Sequence, residues 1–309
     1  MIQGGNHAPY AKPLRRRPGS DGIRRRDAGR PRSGRREYPV NWNVTLATAT
    51  GAALNVPPAG ANDTSCRPSA AHPQPVILLH GIFQDQNMAW QALAPTLANE
   101  GYCVFTMTYG QVWYSANLGG IDNLSASAAE VYTFVSQVLS WTGAAQVDLV
   151  GYSEGGFIAR LYMKDYGAAH VRRYVGISPV NMEPATISGI LTLAYQIPGA
   201  EAVVDVACPA CYALSTPPAF DSLNTPSATF PAVTYTDIAT STDEVATPYQ
   251  LSFLPAGPNV TNITIQSLCP DDQVGHLGMP YDTTTVQLAL NALDPANPQP
   301  VPCDSGVPL

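Results

Sequence analysis

Gly151-Tyr152-Ser153-Glu154-Gly155 is the segment of this sequence best suited to chemistry. It follows the apolar run Val147–Val150 directly and leads into FIARLYMK, a helix-like stretch at 157–164. A serine on a sharp strand-to-helix turn projects its hydroxyl at the carboxyl end of the strand, with glycines on either side letting neighbouring backbone pass close. The helix N-terminus behind it favours developing negative charge. Ser153 is therefore a candidate nucleophile for acyl transfer.

A serine hydroxyl needs a general base at neutral pH. The chain offers five histidines. His7 lies in the N-terminal segment and His72 precedes the first apolar strand, where a surface position is expected. His80 sits upstream, in His80-Gly81, and is expected to brace that loop. His170 follows Gly167 at a helix exit, where capping is the simpler role. His276, in DDQVGHLGMP before the last helical stretch, is left as the base. In doubly wound hydrolytic folds the chain order is serine, acid, histidine. The acid should then close a late strand. VTYTDIAT (233–240) reads as that strand, and Asp243 in the following STDEV is the first choice. Glu244 and Asp237 are the alternatives, while Asp271 and Asp272 are expected to be exposed. The acid would hold the histidine tautomer and stabilise its cation. An oxyanion needs two donors: the backbone N–H of Glu154, and one from His80-Gly81-Ile82-Phe83, with Ile82 first and Phe83 second.

The elements that must position these groups alternate between apolar strands and helices. Strands are expected at 75–79, 103–107, 147–150, 171–177, 233–239 and 260–266. Helices are expected at 88–99 (with Pro95 forcing a turn or kink), 125–141, 157–164 and 283–293. In 125–141, Ala129, Tyr132, Val135 and Val138 should face inward, and Ser125 or Ser127 should cap. In 283–293 the inward residues should be Val286, Leu290 and Leu293. The pattern predicts an α/β fold, a mostly parallel sheet with helices on both faces. Residues 38–74, punctuated by Pro and Gly, read as a winding surface segment. Residues 181–230 are too long for an ordinary connection and are expected to be an insertion forming a cap or lid over the carboxyl edge of the sheet. Its Ile187, Ile190, Leu191, Leu193, Tyr195 and Ile197 suggest an acyl-chain pocket. No internal repeat is present.

Composition narrows the classes. Of 309 residues, 45% are hydrophobic and 13% charged, about half the usual charged fraction. No run reaches the ~18 apolar residues of a membrane span. The net charge of −7 hides two unlike segments. Residues 1–37 hold eleven of the sixteen basic groups against three acids, a net of +8; the remaining 272 residues carry −15. The basic segment lacks hydrophobic periodicity and reads as a disordered tail. It carries no apolar core of a signal peptide. Through this tail the chain could instead be a nucleic-acid or cell-surface binder, but the acidic remainder opposes that, and no nucleic-acid partner is expected. The six cysteines, Cys66, Cys103, Cys208, Cys211, Cys269 and Cys303, suit three disulfides in a secreted protein, with fifteen possible pairings. A zinc site is the rival, with only Cys208-Pro-Ala-Cys211 at ligand spacing. That motif falls in a stretch read as irregular.

PVILLHGIFQDQNMAWQALAPTLANEGYCVFTMTYG (75–110), GYSEGG (151–156), STDEVATPY (241–249) and DDQVGHLGMPYD with LALNALDP (271–295) resemble the secreted actinobacterial lipases of the α/β-hydrolase superfamily, the class 2 lipase group. The likeness covers about 38–309 and is strongest over 66–179 and 236–294. It implies an α/β-hydrolase fold, ester hydrolysis through Ser153, Asp243 and His276, no metal and no other cofactor, and an extracellular location. It also implies the pairings Cys66–Cys103, Cys208–Cys211 and Cys269–Cys303. The expected substrate is a triacylglycerol or related lipid ester, met at an oil–water interface. A short-chain carboxylesterase, polyester hydrolase or acyltransferase would use the same groups. The basic tail departs from the family, in which a signal peptide is expected.

Overall fold

The computed structural model of the chain describes residues 37–183 and 200–308. The basic tail, apart from Glu37, and the six apolar residues of 187–197 lie outside the described residues.

Six strands form one sheet: β1 (Val76–Leu79), β2 (Val104–Met107), β3 (Val147–Tyr152), β4 (Val171–Ile177), β5 (Thr234–Ala239) and β6 (Val260–Thr264). Their order is β2-β1-β3-β4-β5-β6, and every neighbouring pair is parallel. β1, Val-Ile-Leu-Leu, is apolar at every position because both faces are covered, while the charged residues Asp148 of β3 and Arg173 of β4 pair with each other at 3.4 Å. Successive side chains alternate between faces. Ile77, Leu79 and Leu149 pack with α4 (Leu124–Thr142) and α5 (Glu154–Tyr166) through Val131, Val135, Phe157 and Tyr162. Val76, Leu78 and Val150 face the other way, onto α3 (Leu93–Glu100) and the last helix, Thr283–Leu293, through Leu93, Leu97, Val286 and Leu293.

Several local readings change. Residues 38–74 are not wholly irregular: α1 (Val44–Leu54) forms there, capped by the Asn43 side chain, which accepts from Leu46 N. VTLATATGAAL has no well-marked apolar stripe, so periodicity gave no sign of it. The single helix expected over 88–99 is two, α2 (Gln86–Trp90) and α3, parted at Gln91–Ala92. Pro95 then falls in the first turn of α3, where its missing N–H has no intrahelical acceptor to lose. The cap of α4 is Asn123 rather than Ser125 or Ser127, its side chain accepting from Ser125 N and Ala126 N. Tyr132 is exposed rather than inward and stacks on Tyr166, 4.5 Å between ring centres. Ala129 is half-buried, the inner stripe running instead through Leu124, Ala128, Val131, Val135 and Val138. Leu290 is likewise only partly buried. Cys208-Pro-Ala-Cys211 is not irregular: Cys208 caps the helix Pro209–Leu214, and further helices span Ala200–Ala207 and Pro217–Asn224. The disulfides join Cys66 to Cys103, Cys208 to Cys211 and Cys269 to Cys303. No described helix is long and apolar enough to cross a membrane.

Candidate active site

Ser153 stands between β3 and α5 with φ 53° and ψ −120°, a positive φ that is costly for a residue with a side chain. Close packing imposes it. A Cβ on Gly155 would lie 2.1 Å from the Leu79 carbonyl oxygen, and one on Gly151 would lie 2.5 Å from the Gly155 backbone. Only glycines let α5 sit this near β1 and β3, and the turn is held by Ser153 N donating to Ile177 O at 3.0 Å.

His276 Nε2 lies 3.0 Å from Ser153 Oγ, and its Nδ1 lies 2.9 and 3.0 Å from the two carboxylate oxygens of Asp243. An ionised carboxylate only accepts, so Nδ1 carries the ring hydrogen and Nε2 accepts from the serine hydroxyl. All three residues are buried. Burial alone would raise the Asp243 carboxyl. The hydrogen bond and charge of His276, with the amides of Val245 and Ala246 at 2.9 and 2.6 Å, outweigh it and hold the carboxyl below its ordinary value.

The histidine loop is tied from several sides. Glu244 Oε2 accepts from His276 N at 2.9 Å, and Tyr152 Oη donates to His276 O at 3.0 Å. Thr240 and Thr242 hydroxyls both donate to Val274 O. Asp272 is buried rather than exposed, because Val274 N donates to it at 2.9 Å within the loop; Asp271 is exposed. Asp237 faces elsewhere. From its place in β5 it accepts from Asn181 Nδ2 and from Leu254 N, and burial pushes its carboxyl up to about 7.

The other described histidines have structural partners. His80 is fully buried and stacks on Tyr109; its Nδ1–H donates to Gly81 O at 2.8 Å, and Nε2 accepts from Tyr109 N at 3.3 Å. Burial pushes it down to about 4, so it stays neutral at pH 7. His72 is half-buried and stacks on Tyr102. His170 does not cap a helix: α5 ends at Tyr166 with Gly167 as its C-cap, and the His170 ring donates to Ala145 O at 3.1 Å. His7 lies outside the described residues.

On the oxyanion side, a Cβ added to Gly81 would lie 3.2 Å from Ser153 Cβ, so this loop borders the nucleophile. The Gly81 amide donates to Gln84 Oε1 at 3.1 Å, leaving the amides of Ile82 and Phe83 as the loop's candidates. Phe83 has φ 56°. The Glu154 amide is the first of α5, where helical geometry provides no acceptor. Its side chain turns inward: both carboxyl oxygens are buried without a hydrogen-bond partner among the described residues. Burial pushes this carboxyl well above its ordinary range.

Ser153 and His276 open onto a cavity of about 300 Å3, lined also by Val44, Thr48, Met88, Val245, Leu277 and Tyr281, among others. Val44, Thr48 and Tyr281 carried no signal of this role in the sequence. Tyr152 did, being next to the candidate nucleophile. Among the described residues no group of three His, Cys, Asp or Glu side chains is arranged to hold a metal.

A family model described as lipase (class 2) matches residues 73–282. Two curated triacylglycerol lipases are similar in sequence. One, from Burkholderia plantarii, is 34% identical over 129 residues, 39% of this chain and 34% of that protein. The other, from Pseudarthrobacter phenanthrenivorans, is 33% identical over 99 residues, 29% of this chain and 28% of that protein. The matches thus span about a third of the length of these relatives. In structure the chain is similar to a Bacillus licheniformis lipase in its mature form, with a TM-score of 0.53, 16% identity, 74% of this chain and 94% of that one covered. This last likeness bears on the fold alone.

Proposed function

The chain belongs to the class 2 lipase family, and from that premise we propose that it hydrolyses carboxylic esters through a Ser153 acyl-enzyme, triacylglycerols being the substrate class. The observation that carries this reading is the run of contacts from Asp243 through His276 to Ser153 at the floor of an uncharged cavity. Ser153 Oγ attacks the ester carbonyl while His276 Nε2 takes its proton. Asp243 fixes the imidazole and stabilises its cation. The Glu154 and Ile82 amides donate to the oxyanion of the tetrahedral intermediate, each donor contributing a factor of roughly 10²–10³ to kcat. His276 then protonates the leaving alcohol. A water that gives its proton to His276 attacks the acyl-enzyme, and His276 returns that proton to Ser153 Oγ as the Oγ–acyl bond breaks and the acid leaves.

Exposed Phe83 and Leu277 at the cavity, with exposed Leu46 and Trp42 nearby in sequence to Val44, support contact with a lipid surface. The cavity volume favours a second reading, a carboxylesterase of shorter chains, since about 300 Å3 is the lower end for small-molecule sites. Three disulfides suit an oxidising, extracellular compartment. The 181–230 region serves as a cap in this account.

Hydrolysis of p-nitrophenyl esters from acetate to palmitate, with Ser153→Ala alongside, tests the proposal. Activity rising towards long chains and lost in the variant supports a lipase; activity confined to acetate and butyrate supports the esterase reading. A Ser153→Ala enzyme keeping more than about a thousandth of the activity overturns both, since loss of such a serine costs on the order of 10⁶.

A further inference from the structure

The cavity at Ser153 has two unlike walls. One is the loop Gly81–Gln84 with Ser153 and His276; the other is built by α1 through Val44 and Thr48, with Met88 of α2 and Tyr281 beside them. Residues 44–54 of α1 precede the segment 73–282 that matches the family model, whereas Met88 and Tyr281 lie within it, so the α1 part of this wall comes from outside that segment.

The wall is fixed in place. Gly51 presses α1 onto α2 so closely that a Cβ there would lie 2.5 Å from Met88 N and 2.6 Å from Met88 Cα. Gln91, at the end of α2, donates from Nε2 to Ala47 O at 3.2 Å and to Thr50 Oγ1 at 3.1 Å, and its carbonyl accepts from Asn41 N. Val44 is buried with Ala47, Ala92 and Tyr281, and Tyr281 Oη donates to Met88 O. Thr48 is exposed on the same helix, one turn after Val44, and so stands at the open side of the cavity. No charged side chain lines the space, and Gln84 Oε1 is engaged by Gly81 N. An uncharged, rigid wall facing a nucleophile suits a hydrocarbon chain and limits its length.

We propose that α1 is the element that sets acyl-chain length, with the acyl chain of the ester lying against Val44, Thr48, Met88 and Tyr281. The inference rests on the Ser153 acyl-enzyme reading. Until the chain meets α1, each buried methylene raises kcat/KM about fourfold; beyond that point the gain stops.

The test is kcat/KM for p-nitrophenyl esters from acetate to dodecanoate, the leaving group held constant, in wild type, Thr48→Phe and Val44→Ala, each checked for folding by circular dichroism. Thr48→Phe is expected to lower the octanoate-to-butyrate ratio at least tenfold. Val44→Ala, which deepens the cavity, is expected to move the optimum two or more carbons longer. Should Thr48→Phe fail to fold, Val44→Ala decides alone. Ratios within twofold of wild type in every folded variant overturn the proposal. A changed preference for the alcohol in a series of butyrate esters, with the acyl profile unchanged, also overturns it. Ser153→Ala separates the two claims: if it is inactive while the acyl profiles stay unchanged, only the role of α1 falls; if it is active, the acyl-enzyme reading falls first.

Discussion

Tyr152, the residue before the nucleophile, donates its hydroxyl hydrogen to the carbonyl of His276, 3.0 Å away and 124 positions later in the chain. Strand β3 thus places Ser153 and also ties down the loop that carries its base. Tyr152→Phe removes this bond and leaves a buried carbonyl without it. The expected cost is about 1 kcal/mol of stability and about a tenfold fall in kcat with little change in KM, because a small misplacement of the base weakens the transition state more than binding. Denaturant titration and steady-state kinetics on soluble esters measure the two effects. An unchanged kcat would mean that the His276 loop is held without Tyr152.

Two acids touch His276 in different ways, so their substitution separates their roles. Asp243 meets the imidazole Nδ1, whereas Glu244 meets only the backbone amide. Asp243→Asn is expected to lower kcat by about 10⁴, as loss of a tautomer-fixing carboxylate does. Glu244→Gln keeps an accepting oxygen and is expected to cost less than about tenfold. Equal losses in both variants would contradict the assignment of the acid.

The sheet and the order of the site groups were legible because both have strong local signatures. Val76–Leu79 is a continuous apolar run, which double-sided burial demands, and Val147–Val150 departs from one only at Asp148, which pairs with Arg173. Ser153 sits in a turn whose glycines answer to backbone contacts of 2.1 and 2.5 Å. Residues whose placement depends on distant partners were not legible. Helix α1 is Thr- and Ala-rich, and its position comes from Gln91 and Met88, some forty residues away. Asp272 is polar and expected outside, but it is buried with its Oδ1 accepting from Val274 N in its own loop, a contact no periodicity announces. Tyr132 is aromatic and was expected inside, but Tyr166 gives it a stacking partner at the surface. The inward turn of the Glu154 side chain had no sequence signal, since a carboxyl after the nucleophile would ordinarily be sought by solvent.

That carboxyl gives a pH dependence of defined sign. Burial raises Glu154 well above its ordinary range, so the folded state holds a proton that the unfolded chain releases. The stability linked to this proton is complete below the ordinary glutamate range and is lost as pH rises towards the folded-state value. Glu154→Gln keeps the shape and removes the titration, and neither side-chain oxygen gives up a partner among the described residues in the exchange. The difference in Tm between Glu154→Gln and wild type should therefore move in favour of the variant as pH rises from 5 to 9. A constant difference across that range would show that Glu154 titrates normally.

The disulfides differ in the lengths of chain they close. Cys269 and Cys303 are 34 positions apart and Cys208 and Cys211 only 3. On the chain-entropy account, replacing the first pair by serine should cost about 3–4 kcal/mol and the second about 2 kcal/mol. Urea midpoints of the two double variants measure this. Equal costs would point to native-state packing, rather than loop closure, as the source of the stabilisation. Thiol titration of the denatured, unreduced protein should find no free cysteine.

The central claim is a covalent intermediate on Ser153, and trapping it is the most direct measurement. The enzyme is mixed with p-nitrophenyl butyrate, quenched in acid within milliseconds, digested and analysed by mass spectrometry. The account requires a butyryl group on the peptide containing Ser153, absent from Ser153→Ala, which should also retain no more than about a thousandth of the wild-type turnover. Rapid hydrolysis with the acyl group on another residue, or full turnover by Ser153→Ala, would contradict it.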